Sequence, residues 1–358
     1  MRMVVQQARS EQGPNRRVSI AIVGVCIAWL AMTAASVAQN KTMPAAASDC
    51  QAMPQESYPQ AAISNGDVHA MVYLPDAKNG YYRATRFDWS GVVRCLSYKG
   101  HTYFGQWFPR YNPLAHDSIT GPVEEFKGAD GALLYAEAKP GELFVKPGVG
   151  VLRRVDDSPY SSYFTYPLVD AGKWTVHTSG RGVVFTQRLQ TRLGIGYVYR
   201  KNLSLDKQAP VLLLEHELKN TGTKAIEMDV YDHDFFMLDG AATGPGIVVH
   251  FPFEPKAETP LTNGGKITGN DLTFEQELEP RKTVQSILTG YSDKVSDYDF
   301  TVENRDAGIG VEQTGDAPIT HFNFWSIHTT VCPEAYIHLN VAPGQTVHWT
   351  IRYRFYEK

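Results

Sequence analysis

Two stretches of the sequence set proton-moving residue types beside aromatic side chains. In Tyr231-Asp232-His233-Asp234-Phe235-Phe236 an imidazole stands between two carboxylates, and two rings follow at once. Neighbouring negative charge raises a histidine's pKa, so this run predicts an imidazolium at His233 suited to general acid work. The second stretch, Phe322 to Tyr336, holds Trp325 and, after Cys332-Pro333, the carboxylate Glu334 among apolar neighbours. Burial there lifts a carboxyl toward the range of a general base. A third run, Tyr81-Tyr82-Arg83-Ala84-Thr85-Arg86-Phe87-Asp88-Trp89, alternates Arg86 and Asp88 with Phe87 and Trp89. A strand there presents a guanidinium fork and an acceptor on one face, as a polyhydroxylated ligand needs. The plain structural readings are a surface histidine beside two solvated aspartates, a turn carboxylate after a proline, and an Arg–Asp pair beside core rings. No metal or cofactor is expected: adjacent strand residues point to opposite faces, so Asp232, His233 and Asp234 do not converge on one ion.

These side chains need strands to position them, and the sequence supplies strand signals nearly to its end. Val211 to Lys219 alternates Leu212, Leu214, His216 and Leu218 against Leu213, Glu215, Glu217 and Lys219. Asn220-Thr221-Gly222-Thr223 then turns the chain, and the pattern predicts a hairpin with Ala225 to Tyr231. On the returning strand Ile226, Met228 and Val230 share the apolar parity, while Glu227, Asp229, Tyr231 and His233 share the polar one. The last strand sets Val347, Trp349, Ile351, Tyr353 and Phe355 against His348, Thr350, Arg352 and Arg354. Asn79-Gly80, Asp130-Gly131, Asn263-Gly264-Gly265 and Pro343-Gly344 punctuate the segments at intervals that fit an antiparallel β-sandwich. No long, capped helical period and no fixed-length repeat interrupts them.

The strand-turn-strand ending in His233-Asp234-Phe235-Phe236 resembles the region of aldose 1-epimerases, or galactose mutarotases, where an Asn-Thr turn leads to a His-Pro-Tyr-Phe or His-Ser-Tyr-Phe motif. The stretch from Trp325 to Tyr336, followed by Pro343-Gly344 and Trp349, is similar to the end of the wider mutarotase-like superfamily. The resemblance spans most of residues 70 to 358. It implies an all-β supersandwich with a carbohydrate cleft, in which His233 corresponds to the family's catalytic histidine and Glu334 to its catalytic glutamate. The implied reaction is the interconversion of sugar anomers. Arg86, Asp88 and Tyr231 are then expected to hold the mono- or oligosaccharide, with Trp89 or Trp325 as apolar platforms. Asp234 replaces the family's Pro or Ser, Glu334 is followed by Ala rather than Pro, and the upstream His-Gly motif is missing, which marks a divergent subgroup. Two alternatives share this fold: a polysaccharide lyase or glycosidase-like enzyme, with Arg83, Arg86, Arg110 and Tyr231 as loose candidates, and a non-catalytic carbohydrate-binding protein.

The remaining features bound these expectations. The chain has 358 residues, 43% hydrophobic and 20% charged, which excludes a disordered protein. A net charge of −4 offers no basic field for nucleic acid. Arg2, Arg9, Arg16 and Arg17 precede the apolar run Val18 to Met32, and Ser36-Val37-Ala38 supplies small residues for cleavage. Residues 1–38 therefore read as a signal peptide, too short in its apolar core for the ~20 residues that cross a bilayer. The remainder is more acidic than the whole and is expected in the periplasm or secreted, with no stable membrane span. Residues 39–62 read as a flexible tail and 63–358 as one domain. Cys50, Cys95 and Cys332 leave room for one disulfide and one free thiol, without choosing the pair.

Overall fold

The computed structural model describes Cys50 and residues 56–358. The predicted leader, 1–38, lies outside these residues, as does most of the predicted tail. Two antiparallel sheets, of ten and six strands, carry the architecture, and sheets of four and three strands flank them. The six-stranded sheet is built from Lys256–Ala257, Thr283–Thr289, His321–Ile327, Thr330–Val341, Ile226–His233 and Val123–Lys127, in that spatial order. Near the middle of the larger sheet, the final strand Thr346–Glu357 pairs with Val211–Asn220, which pairs in turn with Gly196–Leu205. The fold is thus all-β, as the sequence predicts.

Period-2 alternation fixes which side chains fill the space between the two large sheets. From the ten-stranded sheet, Leu212, Leu214, Leu218, Ile351, Tyr353 and Phe355 join one core cluster. From the six-stranded sheet, Phe126, Met228, Val230, Phe322, Phe324 and Leu339 meet them there. The alternate residues of the smaller sheet must therefore face outward, and it is on that outer face that the cleft lies.

The expected hairpin around Asn220 is a crossing instead. Val211–Asn220 belongs to the ten-stranded sheet, whereas Ile226–His233 pairs with Thr330–Val341 and Val123–Lys127 in the six-stranded one. The Asn220 side-chain amide donates to the carbonyls of Lys224 and Val341, which holds the corner where the chain changes sheet. Both strands keep the predicted apolar parity, because each turns that face to the shared interior.

The first strand among the described residues overlaps the end of the stretch that composition reads as a tail. Gln60–Ser64 is a strand paired with Val68–Tyr73, and Asn65 Oδ1 accepts from the N–H groups of Asp67 and Val68 to close the turn between them. Cys50 forms a disulfide with Cys95 on the Val92–Tyr98 strand, and Cys332 is free and buried.

Candidate functional site

The outer face of the six-stranded sheet forms a cleft of about 360 Å³. Its floor is a set of cross-strand rows. The register that pairs Ile226 with Val341 and Val230 with Ile337 continues to the bridge between Phe236 and Val331, so His233 stands opposite Glu334. Glu334 is in turn opposite Asn323, and Asn323 opposite Ile287. One row along, Glu125 pairs with Tyr231, and Tyr336 pairs with His321. A third row holds Lys127, Asp229 and His338.

In the first row His233 Nε2 lies 3.3 Å from Glu334 Oε1, and both side chains are buried. The Asn323 amide donates to Glu334 Oε2 at 2.9 Å. Burial raises the Glu334 pKa to about 7, against the opposing Asn323 bond and the Arg86 charge. His233 is held well below its ordinary value, first by burial and then by Arg86. The imidazole is stacked on Phe235 at 3.8 Å, and Phe235 on Trp107 at 4.7 Å. Trp325 closes the third side, edge-on to the imidazole at 5.5 Å. Phe235 takes this place with a φ of 47°, a left-handed conformation unfavourable for a residue with a Cβ. Its backbone N–H meets Cys332 Sγ at 3.3 Å.

The second row carries the polar anchor. Arg86 Nε donates to Glu125 Oε2 at 2.8 Å, and its Nη2 donates to the Tyr231 hydroxyl at 3.2 Å. Tyr231 donates to Glu125 Oε2, and Lys146 donates to Glu125 Oε1 and to Tyr160. Burial alone would raise the Glu125 pKa, but Lys146 and Arg86 outweigh it and hold the carboxyl well below the usual range. Tyr336 stacks on Tyr231 at 4.1 Å, giving the cleft an aromatic patch beside this carboxylate.

The structure therefore brings His233, Glu334, Arg86, Tyr231 and Trp325 together. It places Asp88 and Trp89 elsewhere. The segment from Tyr81 to Gly91 is irregular rather than a strand, so the assumed alternation does not apply. Asp88 is buried on the core side, accepting from Ser90 and Tyr199, and Trp89 donates its indole N–H to the Ala84 carbonyl. Nor do Asp232 and Asp234 tune His233 from its own face. Both point into the sandwich, where the Tyr353 hydroxyl meets Asp232 Oδ2 at 2.5 Å and Asp234 Oδ1 at 2.8 Å. The predicted rise of the His233 pKa is thus corrected: its burial, followed by Arg86, lowers it instead. Glu125, Lys127, Asn323, Tyr336 and Trp107 also line the cleft. The alternation of Val123-Glu124-Glu125-Phe126-Lys127 carried a signal for two of these, with Glu125 and Lys127 on one parity. Glu124, on the other, meets Lys201 and His216 inside the core.

No protein-family model matches the sequence, and no curated protein matches it. Solved structures do match the fold. A galactose mutarotase-like protein from Clostridium acetobutylicum aligns with a TM-score of 0.51 at 11% identity, over 83% of this chain and 95% of its own. A galactose mutarotase related enzyme from Lactobacillus acidophilus aligns with a TM-score of 0.50 at 10% identity, over 83% and 97%. The Slr1438 protein from Synechocystis sp. PCC 6803 does so with a TM-score of 0.50 at 10% identity, over 86% and 100%. The chain thus shares the β-sandwich fold of these galactose mutarotase-like structures.

Proposed function

We propose that the protein is a carbohydrate-active isomerase that interconverts the anomers of a sugar at the His233–Glu334 pair. The observation that carries this reading is the 3.3 Å contact between His233 Nε2 and Glu334 Oε1 on the floor of the cleft. Anomerisation needs one group to take the proton from the anomeric hydroxyl and another to protonate the ring oxygen. Those two oxygens are bonded to the same carbon, so the acid and base that serve them have to be neighbours. A pair on facing positions of adjacent strands meets that requirement.

The proton count also works. With Glu334 raised to about 7 and His233 lowered, the pair carries one proton below about pH 7, on Glu334. Moving that proton to His233 gives a carboxylate and an imidazolium. Glu334 then removes the proton of the anomeric hydroxyl, the C1–O bond to the ring oxygen breaks as His233 protonates that oxygen, and the open-chain aldehyde forms. Rotation about C1–C2 and reversal of the transfers close the other anomer and restore the pair. Arg86, Tyr231 and Asn323 offer polar contacts to sugar hydroxyls, and Trp325, Trp107 and Tyr336 offer apolar faces. The cavity sits at the small end of the ~300–1,000 Å³ range of small-molecule sites, which favours one ring over a polymer.

Of the lyase candidates, Arg83 and Arg110 are not among the cleft residues, and burial lifts the Tyr231 hydroxyl well above its ordinary pKa, unlike a base. The predicted leader puts this chemistry in the periplasm or outside the cell, and the Cys50–Cys95 disulfide suits an oxidising compartment. Exchange between α and β anomers of a panel of sugars, followed by NMR, tests the reading. Acceleration over buffer supports it, and ligand binding without acceleration leaves a binding protein.

A further inference from the structure

We infer that the cleft selects a monosaccharide bearing one negative charge, with Lys127 receiving the anionic substituent; this rests on the cleft being the sugar site. Arg86 and Lys146 both converge on Glu125, at 2.8 and 3.2 Å, so two buried cations share one carboxylate. Lys127 follows Glu125 by two residues on the same sheet face and lines the cleft. Its Nζ lies 5.5 Å from the centre of the Tyr336 ring, and it forms no ion pair with another described residue. Asp229, its cross-strand neighbour, is engaged by His338 Nδ1 at 2.9 Å.

Lys127 is thus a cation lining the cleft with no carboxylate partner among the described residues. Asp117 stands half exposed beside His116, and Glu334 lies 3.3 Å from His233. Positive charge in a partly desolvated site is costly until a counter-charge arrives, and a ligand anion is the group that supplies it.

The spacing suits a single sugar. Lys127 is rooted two rows from His233, each row being two residues or ~7 Å along the strand. Its side chain leans toward Tyr336 in the intervening row. An anomeric carbon at the His233–Glu334 pair therefore sets the substituent at the far side of the same pyranose ring within reach of the lysine. A sugar carboxylate and a sugar phosphate share this chemistry.

The test measures affinity and anomer exchange for glucose and galactose, their uronates and their 6-phosphates. It uses the wild type, Lys127→Met and Lys127→Arg, with circular dichroism confirming that each variant folds. One charge-assisted contact predicts that an anionic sugar exceeds its neutral parent by about tenfold or more in affinity or kcat/KM. Lys127→Met is expected to collapse that ratio toward one, and Lys127→Arg to restore most of it. The stronger of the uronate and phosphate arms identifies the substituent. A neutral hexose preferred over both anionic derivatives overturns the inference while leaving the isomerase reading intact. So does an anion preference that survives Lys127→Met. Lys127-dependent binding of an anionic sugar with no anomer exchange for any sugar does the reverse, keeping the charge selection and removing the isomerase.

Discussion

His233 and Glu334 face each other across adjacent antiparallel strands, Nε2 to Oε1 at 3.3 Å, on the side of the sheet turned away from the core. Opposite Glu334 on its other flank is Asn323, whose amide fixes the second carboxylate oxygen. A single register thus orders three polar side chains in one row.

The Glu334 proton gives the proposed activity a direction with pH. Burial raises Glu334 to about 7, so the pair holds its proton below that value and loses it above. Catalysis is expected to fall as pH rises past about 7, and Glu334→Gln is expected to abolish that limb along with most of the rate. The pH profile of kcat/KM checks this; a rate that climbs through neutrality contradicts it.

A second proton lies beneath the site. The Tyr353 hydroxyl has one hydrogen yet meets both Asp232 and Asp234, so one of those carboxyls has to carry a proton for both contacts to be hydrogen bonds. Burial, followed by the charge of Glu124, raises Asp232 to about 8, and Asp234 is also raised well above its ordinary value. Folded-state pKa values above the unfolded ones stabilise the protein at low pH, and that stability is lost as pH rises toward about 8. Thermal unfolding measured across that window should show Tm falling on the alkaline side, with Asp234→Asn flattening the fall. Tyr353→Phe is expected to cost ~1–3 kcal/mol by leaving the two carboxyls without their bridge.

The Arg86 fork yields another test. Its Nε and Nη2 reach Glu125 and Tyr231 separately, a geometry that lysine cannot copy. Arg86→Lys keeps the charge but is expected to lower kcat/KM by about tenfold or more, because charged hydrogen bonds of this kind each contribute ~1.5–3 kcal/mol. Equal kcat/KM in the variant and the wild type would refute that role.

The Cys50–Cys95 disulfide closes a loop across a sequence separation of 45 residues. Such a link typically stabilises by ~2–4 kcal/mol. Thermal melts with and without reductant should differ accordingly, and Cys95→Ser should match the reduced protein. Identical melting temperatures would show that the link adds nothing.

How far the site could be read from the sequence depended on whether the local backbone was regular. Strand parity placed Tyr231 and His233 on one face, and the register of that strand with Thr330–Val341 brings Glu334 to them. The same rule failed at Arg86 and Asp88, because Tyr81 to Gly91 is not extended in a strand and only Arg86 reaches the cleft. Around Asn220 the sequence displayed a turn between two alternating strands, which a hairpin and a sheet crossing produce alike. Only the pairing partners, far away along the chain, distinguish them. The tuning of His233 was misread for a related reason: Asp232 and Asp234 are its neighbours in sequence, but the pleat sends them to the opposite side of the sheet. Burial and Arg86 set its pKa instead, and neither is visible in the local motif.

The central claim is that His233 and Glu334 act together on a sugar's anomeric centre. Its most direct test is the α/β exchange rate, measured by NMR, for wild type, His233→Gln and Glu334→Gln, each shown to be folded by circular dichroism. The account predicts acceleration over buffer for at least one sugar and a loss of ~10²- to 10⁴-fold in either variant. No acceleration with any sugar, or variants that exchange anomers as fast as the wild type, would contradict it.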